Sequence, residues 1–386
     1  MEQRNSVQFI ILALLVSMVM VAIAFGVSTG VNAISGNADA SYFGNETYVG
    51  PVKVDGLSKE QAILILTQET ERWKSNQKPT IQFLFEKEKL DLDFIEFDIQ
   101  TSVTQARTGE RNELHFQMNK QNLHSVYEGL SLIDVDEIDY QGFENDLLDH
   151  AKYLTDFPNK IYLTEYISGL VDETLPFSTN TLSIKEGDVS ANIWMRKHQE
   201  MTIKKDEVFS LNDIYLKESN GLYSEGFQNE LASAIYKAAL NSPFSIVERT
   251  VTTDNRYNQE VGYEAFIDAQ HDLKIRNEYG KPLRIQSTLK DGKLFISIVG
   301  DSSLVNIQAS IKEVKTLKPR VIVYPVEDYS DEYEVEGENG VQATVVRSVS
   351  LGDSIWKKYT HAVDSYLPIP EKWYRVFEEN QEDVER

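Results

Sequence analysis

The stretch KDEVFSLNDIYLKESNGLYSEGFQNELASAIYKAALNSPFSIVER, residues 205–249, sets the order of elements on which the fold turns. Lys205–Asn212 reads as a turn into a short strand, and Gly221–Gly226 as a flexible hinge. Leu231, Ile235, Ala238 and Ala239 then recur at helical spacing, which predicts a helix of 13 residues over 229–241 with one apolar face. Asn241-Ser242-Pro243 stops it, and Phe244–Val247 reads as a strand.

Downstream, Tyr263–Ile267, Leu273–Asn277, Leu283–Thr288 and Leu294–Val299 follow as short strands. Tyr279–Pro282 and Lys290–Lys293 supply turns, the second an Asp-Gly hairpin. Upstream, Ile193, Met195, Met201 and Ile203 flank a helix or an extended arm. Residues 191–300 thus form a central domain, a small antiparallel meander packed on one helix.

Further outward, residues 47–168 read as an α+β domain. A strand and an Asp55-Gly56 turn lead into a helix, with Ser58 and Gln61 as a capping box and Ala62, Ile65, Leu66 and Trp73 on its inner face. Thr80–Phe85 and Leu92–Ile99 alternate as half-buried strands do. Leu123–Leu132 is mixed, and 139–154 reads as a second helix with Phe143, Leu147, Leu148, Ala151 and Leu154 inward. Periodicity fails over 169–190, which reads as a linker. Residues 301–370 are a β-rich tail with a strand at Val321–Tyr324. The same tail holds an expected hairpin of Tyr333–Gly340 with Val341–Val349, built on Asn339-Gly340. Residues 371–386 are an acidic tail.

The N-terminus is different in kind. Phe9–Val27 is an uncharged apolar run of 19 residues. At about 1.5 Å per residue it nearly spans a hydrocarbon core of about 30 Å, and it exceeds the apolar region of a signal peptide, about 7–15 residues. Val31-Asn32-Ala33 offers a cleavage site, but the length favours an uncleaved anchor. Arg4 places residues 1–8 as a cytoplasmic tip and the chain after the anchor outside the cell. Residues 28–46 read as a linker, with a glycosylation triplet at Asn45-Glu46-Thr47. The expected class is therefore an α+β multidomain protein with an N-terminal transmembrane helix, antiparallel sheets packed on a few helices, and a β-rich C-terminal tail.

The chain has 61 acidic and 38 basic residues, a net charge of −23. That argues against nucleic acid as a partner, since phosphate binding needs clustered Lys and Arg. Cysteine is absent, which excludes a thiol nucleophile, a thiolate metal site and a disulfide. The six histidines, His115, His124, His150, His198, His271 and His361, show no metal-ligand spacing. Asp134, Asp136, Glu137 and Asp139 lack the Gly and Glu of a calcium loop. The acidic run from Asp328 to Glu338 reads as a charged strand edge. No cofactor is indicated.

Two resemblances sharpen this. Val52-Lys53-Val54-Asp55-Gly56-Leu57-Ser58-Lys59-Glu60-Gln61-Ala62 resembles the opening of a YoaR-like peptidoglycan-binding domain, with Gly56 and Leu57 at its motif centre. Four blocks between 206 and 285 resemble a VanW-family domain. They are Asp206–Asn212, with Glu207, Phe209 and Asn212; Ser233–Leu240, with Tyr236; Phe244–Arg249; and Leu273–Ile285. The VanW pattern also carries a Cys-Gln pair at the helix start, a His-Pro-His and an Arg-Asp. Anchored on Tyr236, these fall on Asn229-Glu230, Thr250-Val251-Thr252 and near Tyr263-Glu264. The pattern is degenerate, and its candidate nucleophile and bases are replaced. The resemblance implies a cell-envelope protein, with the membrane and peptidoglycan or envelope proteins as partners. A non-catalytic role in binding or scaffolding follows from the replaced residues. Two alternatives stay open: an enzyme on wall peptide or glycan working through Glu230, Glu248 or Glu264, and a protein–protein scaffold. Arg249 completes the motif positions of interest.

Overall fold

The computed structural model describes residues 42–133, 135–167, 176–184, 188–218, 222–254, 259–300, 305–352 and 354–376. The expected tip at 1–8, the anchor at 9–27 and most of the first linker lie outside the described residues. Among the described residues, no helix is long and apolar enough to cross a membrane. The chain divides into two compact units. One holds the described residues up to Trp73 with Phe97–Gln117 and Lys152–Leu154, and the other holds the remaining described residues.

In the first unit, Tyr48–Val49 pairs antiparallel with Val52–Lys53 and parallel with Arg111–Asn112. The Asp55 carboxylate accepts the N–H groups of Glu46 at 2.9 Å and Thr47 at 2.7 Å, which closes the turn before Gly56. The expected capping box forms. The Ser58 N–H donates to Gln61 Oε1 at 2.9 Å, the Gln61 N–H donates to Ser58 Oγ at 3.3 Å, and the helix runs Lys59–Ser75. Its Ala62 and Leu66 bury against Phe43, Val49, Val54, Val103 and Leu114, with Leu57 packed on the edge of that cluster. Thr47 of the glycosylation triplet is buried, its hydroxyl donating to the Gly44 carbonyl at 2.7 Å.

Two stretches depart from their alternation. Leu92–Ile99, expected as one strand, contains a 3-10 turn at Leu92–Phe94 and a short strand at Ile95–Phe97, and ends where a helix begins at Ile99. Asp91 caps the turn through the Asp93 N–H at 3.1 Å, and Asp98 caps the helix through the Thr101 N–H at 2.9 Å. Aspartates that bond nearby backbone compete with a strand ladder, and here they win. Leu123–Leu132 is mostly helix, Lys120–Gly129, on an Asn119 cap. Thr80–Phe83 pairs with Glu86–Lys89 and, in parallel, with Lys160–Tyr162.

The central region begins earlier than expected. Pro176–Ser183 (β1), inside the expected linker at 169–190, is an edge strand. It is followed by Ser190–Lys197 (α1), Glu200–Ile203 (β2), Val208–Ser210 (β3), Leu211–Glu218 (α2) and Glu225–Leu240 (α3). Then come Phe244–Glu248 (β4), Lys274–Asn277 (β5), Leu283–Lys290 (β6) and Lys293–Val299 (β7). Two antiparallel sheets result, in the orders β2-β6-β7-β1 and β3-β5-β4. The Asp291-Gly292 hairpin joins β6 to β7 as expected. Trp194 of α1 is fully buried and donates its indole N–H to Ser287 Oγ on β6 at 2.9 Å.

Helix α3 packs on β1, β4 and β7. It starts at Glu225 because the Ser224 hydroxyl accepts the Phe227 N–H at 3.2 Å, so Glu225 and Gly226, expected in the hinge, form its first turn. Leu231, Ile235, Ala238 and Ala239 are buried as expected, and so are the polar Asn229 and Ser233.

The tail is β-rich. Val305–Leu317 (β8) precedes Val321–Val326 (β9), Tyr333–Val335 (β10), Gly340–Leu351 (β11), Ser354–Tyr366 (β12) and Glu371–Val376 (β13). The expected hairpin on Asn339-Gly340 does not form. β11 pairs antiparallel with β8 and β12, and β10 pairs with β13. Gly340 serves close packing instead, since a Cβ there would collide with the Tyr366 carbonyl and Pro368. β13 lies inside the expected acidic tail, yet it is the central strand of a sheet ordered β9-β13-β10. Tyr324, Tyr374 and Tyr333 stack across that sheet at 5.2 and 4.2 Å.

Candidate functional site

The motif positions meet around α3. At the expected Cys-Gln position, Asn229 is buried, and its side chain bridges two backbones. Its amide donates to the Glu225 carbonyl at 3.1 Å, and its Oδ1 accepts the Ile267 N–H at 2.8 Å. One helical turn on, Ser233 Oγ accepts the Ala265 N–H at 2.9 Å. These bonds explain why Tyr263–Ile267, expected as a strand, is not one. Two of its N–H groups are satisfied by helix side chains, and among the described residues its only ladder contact is the bridge from Phe266 to Thr250.

Glu230 faces the other way. It lines a groove of ≈ 190 Å³ with Asn180, Thr181, Lys237, Glu260 and Tyr263. Lys237 pairs with Glu260 and lies 4.4 Å from the centre of the Tyr263 ring. The groove offers an acid, a paired cation, amide and hydroxyl groups, and one aromatic surface.

At the expected His-Pro-His and Arg-Asp positions stand Thr252 and Glu264, and they bond each other. Glu264 is 1% exposed, and its carboxylate accepts the Thr252 hydroxyl at 2.6 Å and the Thr252 N–H at 3.1 Å. The neighbouring Arg249 donates its Nε–H to the Glu264 carbonyl at 2.6 Å. Its two terminal nitrogens clasp Asp364 of β12 at 2.6 and 2.7 Å, a bidentate pair buried on both sides. The guanidinium sits 4.3 Å from the centre of the Tyr236 ring.

Two further groups complete this network. Arg347 of β11 is 1% exposed and donates to the Ala239 carbonyl at 3.3 Å and to the Ser242 carbonyl, which caps the C-terminal end of α3. Burial lowers its pKa. His361 of β12 lies beside Tyr236, and burial together with Arg347 and Arg249 holds its imidazole down at about 4. Burial pushes the Tyr236 phenol up to about 12, against the two arginines.

The remaining motif residues form a separate polar seam. Glu207 accepts the Lys204 N–H at 2.7 Å and shapes the turn before β3, and Phe209 is buried in that strand. Asn212 donates to the carbonyls of Asp268 at 2.8 Å and His271 at 2.9 Å. Asp272 accepts the Ser210 hydroxyl at 2.6 Å and the Asn212 N–H at 2.9 Å. Glu248 pairs with Lys274 at 2.6 Å, and that hydrogen bond lowers its carboxyl pKa. Each polar group of this seam is thus tied to backbone or to a neighbouring charge. Gly56 and Leu57 lie in the first unit, at the turn and the core edge already described. Asp134 lies outside the described residues, and Asp139 caps a helix through the Gly142 N–H at 2.8 Å. Among the described residues, no cluster of three His, Asp or Glu side chains could hold a metal ion.

The sequence points to Arg249, Tyr236 and Glu264 but not to their partners. Asp364, Arg347 and His361 lie about a hundred residues downstream in strands that read as a tail. The only local hint is that Asp364 and Tyr366, two apart on a strand, share a face.

Fold and site together define an α+β multidomain protein whose motif polar groups brace one helix and flank a surface groove. Residues 225–299, from the first residue of α3 to the last of β7, match the family model described as VanW like protein. This segment of the chain is VanW-like, as the motif blocks imply, and it is consistent with a cell-wall-associated protein. No curated protein and no solved structure matches the chain.

Proposed function

We propose that this is a membrane-anchored, extracytoplasmic protein of the cell envelope that binds or scaffolds at the wall through its VanW-like region, without catalysing a reaction. Residues 9–27 are the anchor, and peptidoglycan or an envelope protein is the partner. The opening of a YoaR-like domain at 52–62 supports a wall ligand. The anchor holds the chain in the space between membrane and wall and raises its effective concentration there.

The observation that carries this is the engagement of Asn229, Thr252 and Glu264. They occupy the positions of a nucleophile and bases in the family pattern, and each is 5% exposed or less, with its polar atoms bonded inside the core. A group that moves protons must reach a substrate. What faces outward is the groove of Glu230, Lys237, Glu260 and Tyr263, suited to contact rather than chemistry.

The test is retention of the full-length protein by purified sacculi at low and high salt, beside a wall-remodelling assay of Glu230→Gln, Glu248→Gln and Glu264→Gln. Retention with no turnover is expected. Turnover that disappears in Glu230→Gln with the fold intact would overturn the non-catalytic reading, and no retention at either salt would turn it toward a protein–protein scaffold.

A further inference from the structure

The sheet β9-β13-β10 carries apolar side chains that nothing covers. None of the residues in its three strands is buried, whereas a sheet ordinarily packs at least one face against another element. The register sorts its side chains. Tyr324, Tyr374 and Tyr333 form one row, Val326 and Val376 lie beside it, and Ile322 and Val335 flank Lys372 on its other side. These residues share one face. Tyr333 is 52% exposed, Val335 43% and Tyr324 38%, so much of the aromatic row stands in water.

The edges of the same sheet are guarded. Pro325 has no N–H to give from β9, and β10 is three residues long between Glu332 and Glu336. Both features discourage the addition of a foreign strand. What the sheet offers a partner is therefore its face.

The rim of that face states the charge of the partner. Glu327 and Asp331 lie at its valine end, and Glu336 and Glu338 at its lysine end; all are exposed. Among the described residues, no lysine or arginine pairs with any of these acids. Of the cations in the strands, Arg375 is already paired with Glu334, which leaves Lys372. A second copy would bring the same excess of acids against this rim, in a chain of net charge −23. An anionic lipid or wall polymer would be repelled, and a neutral glycan would gain nothing from the carboxylates. An apolar centre rich in tyrosine within an acidic rim fits a protein surface whose apolar side chains are flanked by lysine or arginine, and the tyrosine rings themselves attract such cations. We infer that the face of Tyr324, Tyr333 and Tyr374 docks a partner protein of that kind.

The experiment places p-benzoylphenylalanine at Val335 of the full-length protein, in the cell that makes it, and identifies the photo-adduct by mass spectrometry. A discrete protein adduct is expected, with lysine or arginine in the linked segment. The same photoreactive residue at Val314, 62% exposed on β8, should give none. Glu327→Gln, Asp331→Asn and Glu336→Gln combined should cut the yield by about fivefold or more with unchanged melting behaviour, and so should high salt. Tyr324→Ser with Tyr333→Ser should also lower it. No adduct, an adduct to lipid, glycan or a second copy, or a yield that survives the carboxamide variant overturns the inference. The inference does not rest on wall binding: these variants leave the α3 groove intact, so retention by sacculi should be unchanged in them, and a chain that forms the adduct without being retained would keep this surface and lose the earlier proposal.

Discussion

Replacing Asp364 by alanine removes one half of the most enclosed ion pair described above. The two side chains are 8% and 5% exposed, and the contact is bidentate. Without Asp364, Arg249 keeps the Glu264 carbonyl and the Tyr236 ring but loses both of its hydrogen bonds to a carboxylate. Removing one partner of a buried pair costs about 3–5 kcal/mol. At about 2–4 °C per kcal/mol for a unit of this size, the melting midpoint should fall by about 6–20 °C. Thermal unfolding followed by near-UV circular dichroism measures it, because Tyr236 and Tyr366 report on this region. The double variant Arg249→Met with Asp364→Leu should recover most of the loss, since two apolar groups leave no charge stranded. A loss below about 1 kcal/mol in Asp364→Ala, or a double variant no more stable than the single one, would refute the reasoning.

His361 stays neutral in the fold because its pKa is held at about 4, against an ordinary 6.5. The unfolded chain therefore takes up the proton first, so stability is untouched above pH 6.5 and is lost as pH falls toward 4, by on the order of 2 kcal/mol after allowing for partial solvent contact. His361→Gln should flatten the melting midpoint across that window, and parallel curves would count against it. Gly280 has φ +84°, and a Cβ there would sit 2.6 Å from Tyr162 Cβ. Gly280→Ala should cost about 2–5 kcal/mol by denaturant midpoint, from strain and overpacking together. Asn229→Leu leaves the Ile267 N–H without its acceptor and should cost about 1–3 kcal/mol, with faster hydrogen exchange at Ile267. Unchanged exchange there would mean that the amide is not a strut.

Much of the architecture was legible wherever one local rule dominated. The capping box at Ser58 and Gln61, the buried stripe of α3 and the Asp-Gly hairpin between β6 and β7 all formed as expected. Errors arose where polar side chains redirected the backbone. Asp91 and Asp98 turned an alternating stretch into short helices. Asn229 and Ser233 took the bonds that a strand at 263–267 would have used. The tail failed for a different reason: Asn339-Gly340 carries a hairpin signature, but the long pairing of β11 with β8 and β12 determines the register there. The motif words led to half of the charge network, because Arg249 and Glu264 lie inside them. The other half, Asp364, Arg347 and His361, is set by tertiary pairing, which leaves no spacing to read.

The clasp of Arg347 on the end of α3 also bears on how the chain is made. The helix is complete by residue 240, yet the cation that satisfies its last carbonyls arrives 107 residues later, and the counter-ion of Arg249 arrives later still. During synthesis from the N-terminus, this core therefore waits, with its buried charges unpaired, until the final ribbon of strands has emerged. A chain cut short before Asp364 would carry every motif word of the VanW-like segment and still lack the contacts that lock it shut.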